Sequence, residues 1–291
     1  MRSLIRRASV VAGAAVIVLG PVAGMAAAAP AASAAPITCL VLGSGFRPFT
    51  SLQTAVSAAH AGGILLVLGT CSGSTAITQN LTVTGFPGAT LTADGLGPVL
   101  RIGPGVRVTL NTLIITDGLA FFGGGIANSG GTVTLNGSRI TGNTASSEGG
   151  GIFNDGTMTL NRSTVTGNTS SNGGGIYNDF GTMTLNDSTV TQNTGMFAPG
   201  GGIFNQGGTM TLNDSRITGN TAFNGGGIFN RASGTVTLNY GSRITGNTAS
   251  NGGDGGGIFN DGTVTRATAA NITGNAPDNC APPGSVPGCV G

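Results

Sequence analysis

The chain alternates polar and apolar residues in short bursts, and the bursts return in step. In "TVTLN", Val133 and Leu135 share one side of an extended segment, while Thr132 and Thr134 take the other. In "SRIT", Ser138 and Ile140 oppose Arg139 and Thr141 in the same way. In "GGGIFN", Ile152 points one way and Phe153 the other. The Leu of the first burst falls at Leu110, Leu135, Leu160, Leu185, Leu212 and Leu238, in steps of 25, 25, 25, 27 and 26 residues. The Ile of the third burst keeps the same beat at Ile126, Ile152, Ile176, Ile203, Ile228 and Ile258. A fixed period of this size signals a repeat architecture. The unit has no helical periodicity; its β-branched runs, split by Asn, Asp and Gly, read as strands and turns. Leucine-rich repeats of similar length need several Leu per unit, and here there is one. Three short strands and three turns in about 25 residues predict one coil of an all-β parallel β-helix, a solenoid with Ile, Val, Met and Leu stacked inside. Coils should stack at the strand spacing, about 4.8 Å.

Asn repeats as regularly as the apolar residues. Asn128, Asn154, Asn178, Asn205, Asn230 and Asn260 form one column. Asn111, Asn136, Asn161, Asn186, Asn213 and Asn239 form a second, and Asn143, Asn168, Asn193, Asn220, Asn247 and Asn275 a third. Stacked Asn amides can hydrogen-bond along a ladder, and Asn tolerates the left-handed backbone of a sharp corner. Three columns therefore predict three corners, with Asn in the left-handed seats.

The ends break the pattern. An open coil end is an unpaired edge and needs a cover. In "FTSLQTAVSAAHAGG", Leu52, Ala55, Val56 and Ala59 share a helical face, Ser51 or Thr50 can cap, and Gly62 can stop the helix. Residues 35–63 are thus expected to form an N-terminal cap with a short amphipathic helix, residues 64–275 the β-helix, and residues 276–291 a closing tail. His60 is read as a surface or capping residue.

Composition refines the picture. The 55 Gly have no every-third-residue rhythm, which excludes collagen. The N-terminus reads as a secretory leader over residues 1–34: "MRSLIRR" is basic, "ASVVAGAAVIVLGPVAG" is apolar, and "ASA" at Ala32–Ala34 suits cleavage. Removing Arg2, Arg6 and Arg7 leaves nine Arg against ten acids, a net charge of −1, so no basic surface is expected for nucleic acid. Cys39, Cys71, Cys280 and Cys289 suggest two disulfides in an exported chain. Of the three pairings, Cys39–Cys71 and Cys280–Cys289 each close a local loop at one end.

With "GGGI" and "ITGN" recurring in register, the chain resembles the right-handed parallel β-helix proteins of the pectin-lyase-like superfold, among them secreted bacterial β-helix proteins and the repeats of chlamydial polymorphic outer-membrane proteins. Those repeats carry GGA-I and F-x-x-N motifs; here Ile or Val replaces the motif Phe, and no C-terminal barrel follows. The resemblance covers roughly residues 64 to 275 and implies the right-handed fold but no particular activity.

Many proteins of that superfold cleave acidic polysaccharides. The lyases carry a Ca²⁺-binding acid cluster and an Arg or Lys base; the hydrolases use several Asp, a His and an Arg-x-Lys segment. This chain has no Lys, and its one His lies outside the repeats. Asp187 and Asp214, both in "LNDS", are an acid pair at matching positions and the candidates for a shared cation. Gly137, Arg162 and Tyr240 stand in the same column, which favours a turn position, and Arg162 can pair with Asp187. "NGGDGGGIF" around Asp254 resembles the calcium repeats of secreted toxins but lacks their second Asp, and reads as a loop insertion.

Two outward columns offer contact surfaces. Phe153, Tyr177, Phe204, Phe229 and Phe259 form an aromatic row after Ala127, with Phe121, Phe122, Phe197 and Phe223 placed just before the neighbouring Gly strip. Either the row is a binding face for a glycan or protein surface, or loops fold over it and extend the core. Thr132 and Thr134 recur as Thr157/Thr159, Thr182/Thr184, Thr209/Thr211, Thr235/Thr237 and Thr263/Thr265. This array is similar to the ice-binding face of β-helical antifreeze proteins, although Thr is also an ordinary solvent-facing strand residue. The reading is a secreted, extracellular, adhesin-like binding protein without catalytic machinery or cofactor, and with no membrane span once the leader is removed. Polysaccharide cleavage and ice binding are its alternatives.

Overall fold

The computed structural model describes residues 38–290 apart from Phe197. The expected leader and its cleavage site lie outside the described residues. The chain winds into an all-β parallel solenoid of about eight turns with coils of about 25 residues.

One coil shows how the sequence builds it. Thr157–Asn161 forms the first face, Thr164–Thr166 the second, Thr169–Ser170 the third and Ile176–Asn178 the fourth. Each pairs in parallel with its counterpart one coil on: Leu160 sits beside Leu185, Val165 beside Val190, Thr169 beside Thr194 and Ile176 beside Ile203. The unit therefore has four strands, not the expected three. The extra strand belongs to the segment before the Gly run, whose small polar residues carry no alternating apolar signal.

Alternation fills the interior. Leu135, Leu160, Leu185 and Leu212 are fully buried in one column, and Ile152, Ile176, Ile203 and Ile228 in the facing one. Met158, Met183 and Met210 pack beside the Leu column, and Ile140, Val165, Val190 and Ile217 line the second face. Each such side chain contributes roughly 1.5–3 kcal/mol by leaving water. The Gly run lets the third and fourth faces close on one another. A Cβ on Gly175 would stand 2.6 Å from the Gly202 carbonyl oxygen and 2.9 Å from the Asn193 amide nitrogen.

All three Asn columns form ladders. The fourth-face amides, Asn128 to Asn260, donate from each coil to the next at 2.7–2.9 Å. Asn143 to Asn275 donate in the same direction at 2.9–3.0 Å. The first-face amides run the other way: Asn136 donates to Asn111, and Asn186 to Asn161, each at 2.8 Å. The ladder Asn residues do not occupy the left-handed seats. Those belong to its neighbours, such as Arg162 (φ 47°), Asp187 (φ 49°), Gly167 (φ 63°) and Gln192 (φ 54°). The ladder claims the Asn side chain, so the adjacent residue makes the corner. A buried Ser column reinforces the first corner, with the Ser163 N–H donating to the Ser188 hydroxyl at 3.1 Å and the Ser188 N–H to the Ser215 hydroxyl at 3.1 Å.

The helix spans Leu52–Ala58, capped by the Ser51 hydroxyl, which accepts from the Thr54 N–H; Leu52, Ala55 and Val56 are buried. Cys39–Leu42 pairs antiparallel with Gly63–Ser72, covering the first coil, and the Cys39–Cys71 disulfide ties the two segments. Cys280–Cys289 closes the tail. The tail is also part of the stack, since Cys280–Ala281 pairs in parallel with the strand Ile258–Asn260.

Candidate functional site on the outer faces

The aromatic row follows from the alternation: with Ile152 inward, Phe153 must leave on the opposite side. Stacking at strand spacing brings successive rings together. Phe153–Tyr177, Tyr177–Phe204, Phe204–Phe229 and Phe229–Phe259 have centroids 5.9, 4.9, 5.0 and 5.0 Å apart, all stacked. Such pairs add about 0.5–1.5 kcal/mol each beyond their burial. Ala127 leaves a gap at the head of the row. Phe122, from the third-face strand Leu119–Phe122, fills it with its ring 5.2 Å from Phe153.

The two readings of this row divide along its length. Tyr177 and Phe204 are only 6% and 4% exposed, so in the middle coils the rings extend the core. Phe153, Phe229 and Phe259 are half-buried. The open apolar surface lies beside the row: Leu119, Phe121, Phe122, Met196 and Phe223 are exposed along the third face, and Phe180 on the opposite flank. Phe197 lies outside the described residues.

Carboxylates cluster at the row's centre. Burial pushes the Glu148 carboxyl up, and the Asp179 charge adds to it, while the nearby Tyr177 hydroxyl works against both. Burial raises the Tyr177 hydroxyl most strongly, followed by the Glu148 and Asp179 charges. Asp179 is itself raised by burial and by Asp155. Sequence reasoning missed Glu148 because it belongs to one coil only and has no counterpart in the others.

Asp187 and Asp214 occupy neighbouring coils, as expected, and line an open depression with Ser188, Thr189 and Arg216. Their left-handed backbones place the Asp187 N–H 3.0 Å from the Asn213 carbonyl and the Asp214 N–H 3.2 Å from that of Tyr240. These are turn positions first. Among the described residues, no group of three or more His, Cys, Asp or Glu could hold a metal ion. His60 is exposed beyond the helix, near Arg47 and Phe49.

The model of the Chlamydia polymorphic membrane protein (Chlamydia_PMP) repeat matches residues 137–155 and 162–179. The first span holds "ITGN" and "GGGIFN", and the second holds "GGGIYN". These are the segments that make the second, third and fourth faces of consecutive coils. The chain is a β-helix repeat protein. Neither the curated proteins nor the solved structures contain a match to it. No helix among the described residues of the β-helix repeat protein is long and apolar enough to cross a membrane.

Proposed function

We propose that this β-helix repeat protein is exported and acts outside the cell as an adhesin-like binding protein, performing no chemical step itself. The exposed apolar residues of the third face carry this reading: Leu119, Phe121 and Phe122 on one coil, and Met196 and Phe223 beyond two polar coils. Large apolar side chains held open on a rigid scaffold suit a glycan or protein surface. Phe122 packs on Phe153 at the head of the aromatic row beside them. Similarity to repeats named for a membrane protein supports a place at the cell surface, as does the leader-like N-terminus.

The test is a glycan array and a cell-adhesion assay on the mature chain and on Phe121→Ser/Phe223→Ser. Binding is expected for the wild type and lost in the variant, with unchanged circular dichroism. Parallel incubations with polygalacturonate and alginate, with and without Ca²⁺, should yield no cleavage. Calcium-dependent unsaturated product that disappears in Asp187→Ala or Asp214→Ala would replace this reading with polysaccharide cleavage.

A further inference from the structure

The apolar third face leaves a different face of the solenoid unexplained. On the first face, Thr132, Thr157, Thr182, Thr209, Thr235 and Thr263 stand in register on successive coils. Two residues on, Thr82, Thr109, Thr134, Thr159, Thr184, Thr211, Thr237 and Thr265 form a second unbroken column. Their partners in the alternation, Val133 and Leu135 and their equivalents, are buried, so both columns face solvent.

Single Thr columns occur on the second and third faces too, but among the described residues only the first face carries two in one plane. The outward column beside a Thr column varies freely on the other faces. On the second face the matching column reads Ile114, Arg139, Thr164, Thr189, Arg216, Arg243 and Asn271. At the corner between the faces, Gly137, Arg162, Asp187 and Asp214 follow one another. Charges therefore surround the Thr plane, yet between Thr132 and Thr265 neither column contains one. The one charge in register is Arg107, beside Thr132 at the head of the first column. On the second face Thr116, Thr141, Thr166, Thr191, Thr218, Thr245 and Thr273 lie beside the variable column, and on the third Thr144, Thr169, Thr194, Thr221 and Thr248 lie beside mixed residues, so neither forms a two-column plane.

The geometry is that of a lattice. Hydroxyls repeat about 4.8 Å apart along the stack and about 6.7 Å apart across it, over about 24 Å for the six coils with both columns. Thr is β-branched and stiff at χ1, so its hydroxyl and methyl are fixed before anything binds, and little side-chain freedom is lost on contact. A flexible polymer does not present matching rows in two directions. A crystal does. The prism face of ordinary ice repeats in two perpendicular directions, closely matched to the hydroxyl rows along the stack and somewhat longer across it. An uncharged plane also lacks the tightly held hydration shells that would prevent its own water from joining that lattice.

We propose that the Thr132–Thr265 plane is an ice-binding face, separate from the apolar third face. The mature chain should shape ice crystals, show thermal hysteresis in nanolitre osmometry and slow recrystallisation. Thr159→Lys/Thr184→Lys, at the centre of the plane, should weaken recrystallisation inhibition roughly tenfold or more, as misplaced charges at the centre of an interface do. Thr164→Lys/Thr189→Lys, in the column that already accepts Arg139 and Arg216, should leave it unchanged. Fluorescently labelled wild type should decorate prism planes, a readout that needs no variant. Uniform exclusion of the label from ice would overturn the proposal, as would equal activity of the two variants. Glycan or cell binding through the apolar third face is unaffected by either result.

Discussion

Replacing Asn193 by Ala tests whether the ladders hold the coils together or merely decorate the corners. Asn193 is 1% exposed. Its side-chain oxygen accepts from the Asn168 backbone N–H and the Asn168 amide, both at 3.0 Å. Its own amide donates to the Val165 carbonyl and to the Asn220 side-chain oxygen, both at 3.0 Å. Truncation removes four hydrogen bonds and leaves the Asn168 N–H buried without that acceptor. At about 1 kcal/mol for each bond, the loss is about 4 kcal/mol, a large share of the roughly 5–15 kcal/mol that stabilises a typical domain. Asn186 is the internal control. It donates to Asn161 at 2.8 Å and accepts from Asn213 at 2.7 Å, but it is only half-buried on the outer ladder. Water can replace both bonds there, so Asn186→Ala should cost about 1 kcal/mol or less. Urea denaturation followed by far-ultraviolet circular dichroism reads the two midpoints directly, provided the slopes agree. Equal midpoint shifts for the two variants would refute the inner and outer distinction, and a loss under about 1 kcal/mol for Asn193→Ala would refute the hydrogen-bond reasoning itself.

Two other perturbations probe the core and the acid cluster. Ile203 is fully buried between Ile176 and Ile228, so Ile203→Asp should destabilise by several kcal/mol, roughly the combined cost of lost burial and an unpaired charge, and an unchanged melting temperature would contradict its place in the stack. Glu148 and Asp179 bind their protons more tightly folded than unfolded, so the stability tied to them is present at low pH and is lost as pH rises from the unfolded value, about 4, through the raised folded one. Glu148→Gln should accordingly melt higher than wild type near neutral pH and lose that advantage as both are acidified toward about pH 4; an advantage independent of pH would assign the effect to something other than the buried charge.

Much of the fold was legible because the interior of a solenoid is written in columns. Ile152, Ile176 and Ile203 recur at nearly constant spacing and alternate with polar neighbours, which fixes strand, face and stacking together. The disulfides were legible for a related reason: Cys39–Cys71 and Cys280–Cys289 both lie at the ends, where the repeat stops. What escaped depends on contacts that no repeat encodes. The Ser138 to Ser242 column was present in every unit, but the bonds that its hydroxyls, Ser138 to Ser215, accept from the preceding coil's N–H groups appear only once the corner is built. Phe122 was visible as an extra aromatic, yet its seat over Ala127 depends on how the third-face strand folds back. Glu148 meets Tyr177 across 29 residues, with no second instance to reveal the pairing. The left-handed seats were assigned to Asn because its propensity allows them, but the ladder's claim on the side chain decided the matter.

The polarity of the ladders sets a rule for how such a molecule can change in size. Every internal coil brings each ladder one donor and one acceptor, so a coil duplicated or deleted in the middle leaves no group unmatched. The terminal rungs have no such freedom. The Asn260 amide ends on the Ser285 carbonyl at 2.8 Å, and the Asn275 amide on the Asn279 side chain at 3.1 Å. Arg266 stands where Leu238 and its predecessors stood, and its guanidinium donates to the Ala270 carbonyl at 3.0 Å and the Gly288 carbonyl at 2.6 Å. The tail thus acts as a chemical terminator for two polar wires and one apolar one. Unequal crossing-over within the gene can lengthen or shorten the body in whole coils, and the Thr plane with it, while the terminator passes unchanged from one length to the next.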